Sequence, residues 1–180
     1  MTLRPRFARW AALAFGAVIL GHSGHGLAQP TGAPAPVQSM DATRFLSLAQ
    51  SSSTMQARAS EHVASRDTRP EARSFAQAML EFRRALGSKL EGLARERSLK
   101  LPTVLEFEHQ AILENLEPLD ALELSRRYAE FEIQALQQEL LIYRAAPASD
   151  ESLRAFASDT APRLQQFLDQ AKHTPQTIGP

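Results

Sequence analysis

The chain has 180 residues, 20 basic and 20 acidic side chains, 43% apolar residues and no cysteine. Its length is enough to bury a core, and without cysteine it has no disulfides, thiolate metal ligands or cysteine nucleophiles. Balanced, interspersed charge leaves no electrostatic footprint for nucleic acid or anionic lipid.

Residues 1–28 read as a secretory signal. Arg4, Arg6 and Arg9 form a basic start, Trp10 to Leu20 is a short apolar run, and Gly26-Leu27-Ala28 is a small-x-small cleavage site. The run is about half the length of a spanning helix, so cleavage before Gln29 is expected over retention as an anchor. Cleavage would remove three basic and no acidic residues, leaving 152 residues with a net charge of −3. The expected location is secreted, or periplasmic in a Gram-negative cell, with no transmembrane segment after cleavage. An uncleaved signal holding the chain at the envelope surface is the competing reading.

Residues 29–39 form a proline-rich leader, with Pro30, Pro34 and Pro36, that reads as a tether. The pattern from 40 to 173 is helical throughout, and 174–180 reads as a loose tail. A first helix is expected from an Asp41 cap to Arg66, facing inward with Phe45, Leu48, Ala49, Ser52, Met55, Gln56, Ala59 and Val63. Thr68-Arg69-Pro70-Glu71 resembles a capping box that opens a second helix to about Arg97. Its stripe of Phe75, Met79, Phe82, Leu86, Leu90 and Leu93 steps by three or four residues, the spacing of one helix face.

After Leu101-Pro102, Thr103 with Glu106 opens a short helix to Leu116. A third long helix spans about Leu119 to Ala145, with one stripe of Leu124, Tyr128, Phe131 and Ala135. An adjacent stripe holds Ala129, Ile133, Leu136, Leu140 and Tyr143. Ser149 or Asp150 caps the fourth, which buries Leu153, Phe156, Leu164, Phe167, Leu168 and Ala171. Pro162 should kink or split it. The fold class is all-α: an up-and-down four-helix bundle with one short extra helix.

Few residues carry chemistry. A di-iron bundle takes two Glu-x-x-His pairs; the mature region has one, Glu106 with His109. His62 and His173 lie near helix ends, and none of the three histidines after residue 28 shares a recognisable metal-ligand spacing with another. Phosphate loops, nucleophile elbows and zinc-protease motifs are absent from the sequence. The Ser51-Ser52-Ser53 run reads as a close-packing face. Glu130, Glu132 and Glu139 read as the solvated edge of an amphipathic helix, and Arg84, Arg126 and Arg127 as surface residues paired with acids. Arg83 lies at the edge of its apolar stripe, where it could snorkel outward or pair with a glutamate.

Several pieces in order make the chain resemble a family. They are Phe45-Leu46 with Ala49, Phe75-Ala76-Gln77-Ala78-Met79, Leu90-x-x-Leu93-Ala94, Leu101-Pro102, Tyr128, and Pro162-x-Leu164 with Leu168 and Ala171. From Met40 to Lys172 this is similar to domain of unknown function 4142, secreted bundles with ferritin-like helices often labelled predicted outer membrane proteins. That resemblance implies a glutamate in the first helix and a histidine in each of the next three. The matching positions here are Gln56, Arg83, Leu136 and Phe167. Phe82 stands where an aspartate precedes the second-helix histidine, and Leu124-Ser125 where a Phe-Asp pair precedes the tyrosine.

Leucine and phenylalanine cannot ligate, arginine stays protonated, and an amide is a poor transition-metal ligand. The expectation is therefore an ordinary core in place of any polar centre: no catalytic residues, no metal and no cofactor. The chain would be a non-catalytic, structural or partner-binding bundle of the cell envelope. The alternative is a metal- or redox-handling protein with a relocated site at Glu106 and His109, helped by Glu130, Glu132 or His62.

Overall fold

A computed structural model describes residues 39–67, 69–119 and 121–177. The signal and nearly all of the leader lie outside the described residues, as does Thr68. Five helices account for most of the described chain: α1 (Ala42–Arg66), α2 (Pro70–Glu96), α3 (Phe107–Leu116), α4 (Ala121–Arg144) and α5 (Glu151–Thr177). Among the described residues there is no strand. The four long helices form a bundle and α3 is the short extra helix, as the periodicity predicts.

The caps follow from local chemistry. Asp41 accepts the Arg44 N–H at 2.8 Å and starts α1. Thr68 of the expected capping box lies outside the described residues. The N-cap of α2 is Arg69, whose side chain makes no capping bond, while Pro70 takes the first turn and Asp67 Oδ1 accepts the Arg69 N–H at 2.9 Å. The helix α3 begins after Glu106, later than the Thr103 opening expected from sequence.

Asp150 caps α5 by accepting the Leu153 N–H at 3.1 Å, and the Arg97 guanidinium clamps both its carboxylate oxygens at 2.8 Å. Hydrogen bonding to Arg97 is the main reason the Asp150 carboxyl sits far below the usual range. Replacing Asp150 with alanine removes this cap and the tie between the end of α2 and the start of α5. Urea unfolding should then show a loss of about 1–2 kcal/mol, the upper part of the range for a cap.

The helix α2 ends on Ser98, the one non-glycine residue with positive φ among those described, at 53°. Its N–H bonds Arg95 O at 3.0 Å and the Leu99 N–H bonds Ala94 O at 2.9 Å, the bonding of a left-handed C-cap. A glycine carries no Cβ penalty there, so Ser98→Gly is expected to raise stability by up to about 1 kcal/mol, read as a higher urea midpoint at unchanged slope.

Pro162 does not split α5, which is continuous through it. The carbonyl it leaves without a helical donor belongs to Ser158, an exposed residue. The helix also continues past residue 173 to Thr177.

The four long helices close a ring in the order α1, α2, α5, α4. Met40 N–H donates to Ala145 O at 2.8 Å and Ser60 meets Tyr128 at 2.9 Å, so α1 and α4 run antiparallel. Ser51 contacts His109 and Arg66 contacts Glu117 O, so α3 runs parallel to α1 and carries the chain back along it. That return makes α2 and α4 point the same way across the diagonal of the ring.

One core fills the bundle. Phe45, Leu46, Val63, Met79, Leu90, Leu124, Leu136, Leu153, Leu164 and Phe167 are among its fully buried members. Phe75 and Phe82 stack against Phe167 at 6.1 and 5.1 Å between ring centroids. Leu48, Phe82, Leu93, Ile133 and Phe156, placed inward by the pattern, are partly exposed flanks. No helix among the described residues is long and apolar enough to cross a membrane.

Candidate functional site

The centre of the bundle is polar. Arg83 of α2, Gln56 of α1, and Glu132 and Glu139 of α4 are each 0–1% exposed. The Arg83 Nη1 donates to Glu139 Oε1 at 2.7 Å, Nη2 donates to Gln56 Oε1, and Nε faces Met79 Sδ at 3.3 Å. The Gln56 amide nitrogen donates to Glu139 Oε2 and to Ser52 Oγ, both at 3.0 Å. Those two donations fix the amide so that its oxygen points at the guanidinium. Arg83 therefore pairs with a glutamate, one of the two outcomes its position allows.

Glu132 lies two turns nearer the start of α4. Both its oxygens are buried with no hydrogen bond of normal length, and the weak one they have is to the Tyr128 hydroxyl. Burial lifts its carboxyl to about 8, with the Glu139 charge adding to the shift; attraction to Arg83 and to the nearby Tyr128 hydroxyl only partly offsets it. Burial would pull the Arg83 guanidinium down, yet the charge and hydrogen bond of Glu139, then the charge of Glu132, hold it above its ordinary value. Ser60 spends its one hydroxyl hydrogen on the Gln56 carbonyl at 2.6 Å, so the Tyr128 hydroxyl donates to Ser60 Oγ at 2.9 Å. The Tyr143 hydroxyl is buried and unpartnered on the far side of Glu139. Burial raises both phenols well above their usual range.

Glu132 and Glu139 thus correct the reading of a solvated edge, which holds for Glu130 alone. Its carboxylate is exposed and accepts from Arg127 at 3.2 Å. The signal was in the spacing: Tyr128, Glu132, Leu136, Glu139 and Tyr143 step by four, four, three and four residues along one face. Two acids inside an aromatic and aliphatic stripe mark burial as clearly as the apolar residues around them.

The Glu106 and His109 pair does not assemble a site. The Glu106 carboxylate bonds Arg44 at 3.1 Å, whereas His109 Nδ1 lies 2.7 Å from Ser51 Oγ. Ser51 Oγ also accepts the Glu106 N–H at 2.9 Å, so this group docks the start of α3 onto α1. Burial lowers the His109 pKa, partly countered by Glu106, Glu108 and Glu139. The Ser51–His109 contact has the atoms of a nucleophile and base, but Ser51 is 4% exposed and no acyl group can reach it. Its neighbour Ser53 donates to Arg83 O at 3.3 Å and draws α1 onto α2, the packing role expected of the serine run.

His62 lines an open groove between α1 and α3 with Arg58, Leu113 and Leu116. Burial and the Arg66 charge lower its pKa. His173 Nδ1 stays on its own helix, 2.6 Å from Asp169 O. Among the described residues, no group of three or more His, Cys, Asp or Glu side chains could hold a metal.

The order of helices, the buried Tyr128 and the Leu164, Leu168 and Ala171 face all fit one family pattern. Residues 27–174 match the family described as Domain of unknown function (DUF4142). The chain belongs to it. No curated protein and no solved structure matches the chain.

Two of the positions singled out in the DUF4142 comparison behave as expected, since Leu136 and Phe167 are 0% and 1% exposed in the apolar core. Gln56 and Arg83 correct the expectation of an ordinary core, because together with Glu132 and Glu139 they keep a polar centre. A resident metal does not fit that centre. A permanently charged guanidinium stands among its oxygens, and the nearest carboxylate is already committed to it.

Proposed function

We propose that this DUF4142 protein is an exported, non-catalytic helical bundle that acts through its surface as a structural or partner-binding module of the cell envelope. The observation that carries the reading is the sealing of the chemistry. Every ionisable group at the bundle centre is at most 3% exposed, and Arg83 and Glu139 satisfy each other. A general acid or base must reach the proton it moves. The signal-like residues 1–28 support export.

The test is mild crosslinking in the producing cell, followed by fractionation and mass spectrometry of the captured chain. The reading expects the chain in the envelope or medium with Gln29 at its N-terminus, and a discrete crosslinked species above background. Recovery from the cytosol with Met1 retained, or no crosslinked species above background, overturns it.

A further inference from the structure

A groove of about 470 Å³ opens between the last turns of α1 and the end of α3. That volume lies within the range of small-molecule sites, about 300–1,000 Å³. Arg58, His62 and Ser65 step by four and three residues along α1 and form one wall, and Glu117 at the end of α3 stands on the other. The buried Leu113 and Leu116 form the base.

The polar groups of this groove are uncommitted. Arg58 and the Glu117 carboxylate make no hydrogen bond and no ion pair with any described residue. Glu61, also at the groove, is taken by Arg84 at 3.1 Å. Ser65 gives its hydroxyl hydrogen to the His62 carbonyl at 2.9 Å, which leaves its oxygen able to accept. The His62 Nε2 is buried with no hydrogen-bond partner, and a small turn of the ring would bring it to a group in the groove.

We propose that the groove binds a short peptide with free termini and an apolar side chain. The peptide carboxylate meets Arg58, its ammonium meets Glu117, and its side chain lies on Leu113 and Leu116. One uncommitted cation and one uncommitted anion on opposite walls select a ligand with a charge of each sign at its ends. A polyanion or a polycation would meet repulsion from one of the two. A free amino acid carries both charges on one carbon, whereas packed helices lie about 8–10 Å apart between axes, so a ligand spanning both walls is longer than one residue. The Ser65 oxygen and the His62 ring nitrogen are then placed for the peptide group between the ends. Binding there requires neither export nor a protein partner.

The full chain, labelled with nitrogen-15, is titrated with leucyl-leucine and followed by its amide chemical shifts. Saturable shifts are expected at residues 58–65 and 113–117. Affinity should fall about tenfold or more in Arg58→Gln and in Glu117→Gln, both at exposed positions, and as much when the peptide is amidated or N-acetylated. The losses should pair: the amidated peptide binds wild type and Arg58→Gln alike, and the acetylated one binds wild type and Glu117→Gln alike. Free leucine should bind about tenfold more weakly than the dipeptide. Absence of saturable shifts overturns the proposal, as do shifts centred away from the groove. Capped peptides or free leucine binding as tightly as leucyl-leucine overturn it too, and so do losses that fail to pair.

Discussion

Replacing Arg83 with methionine is expected to cost about 3–5 kcal/mol of stability. Methionine fills most of the arginine volume, so the loss is not chiefly a cavity. It comes from Glu139, fully buried beside Arg83, left with its charge and only the Gln56 amide for a partner. The Gln56 oxygen loses its donor as well.

The companion variant Arg83→Met/Glu139→Met removes both charges. Buried ion pairs exchanged for packed apolar residues are often neutral, since taking two charges out of water costs about as much as their attraction returns. The double variant should recover most of the loss, short of it by about 1–3 kcal/mol for the orphaned Gln56 amide. Urea unfolding of the four chains in a double-mutant cycle measures this directly. If the double variant is as unstable as the single one, the loss is one of packing and the ion pair is not its source.

That result would also bear on why the sequence disclosed the fold more fully than the site. Helix α1 is legible from Asp41 to Arg66 because its capping carboxylate and its stripe both lie within local reach. The long helices follow from spacing alone, and each ends where proline or a loss of periodicity ends it. Pro162 misleads because its effect depends on whether the freed carbonyl meets water, which is a property of the packed surface. The N-cap of α2 misleads similarly: Asp67, held by Ser125 of α4, shapes the approach to Pro70, and that contact spans the bundle.

At the site the failure has a different cause. By type, charged residues between apolar ones read as solvent-facing, although Glu132 and Glu139 share the face of Tyr128, Leu136 and Tyr143. Which face of α4 turns inward is set by the stripe as a whole, and the two acids go with it. Their partner could not be read, because Arg83 and Gln56 meet Glu139 across 56 and 83 residues of chain. Arg83 was legible only as a fork between solvent and a glutamate, and the bundle's closure decided it.

Glu132→Gln is the second substitution with a large expected effect, and it is expected to stabilise. In the folded chain Glu132 holds its proton up to about pH 8, whereas an unfolded glutamate releases it near pH 4.3. Between those values the folded state binds more protons than the unfolded one, so stability falls as pH rises. The slope from this one group approaches 1.4 kcal/mol per pH unit and levels off above about pH 8, a total of several kcal/mol. Glutamine has the same shape and no proton to release.

The charged and titratable groups facing Glu132 are Arg83 from α2 and Glu139 and Tyr128 from α4, and all three remain in the variant. The difference between the two chains therefore isolates the one carboxyl. Near pH 4.5 their urea midpoints should nearly coincide. At pH 8.5 the glutamine chain should be the more stable by several kcal/mol, with the gap opening steadily between. A gap that is constant with pH would mean that Glu132 ionises freely in the folded bundle, paired with Arg83 as Glu139 is. The centre would then hold two carboxylates on one guanidinium, and its charge shortfall would have to be met from outside the cluster.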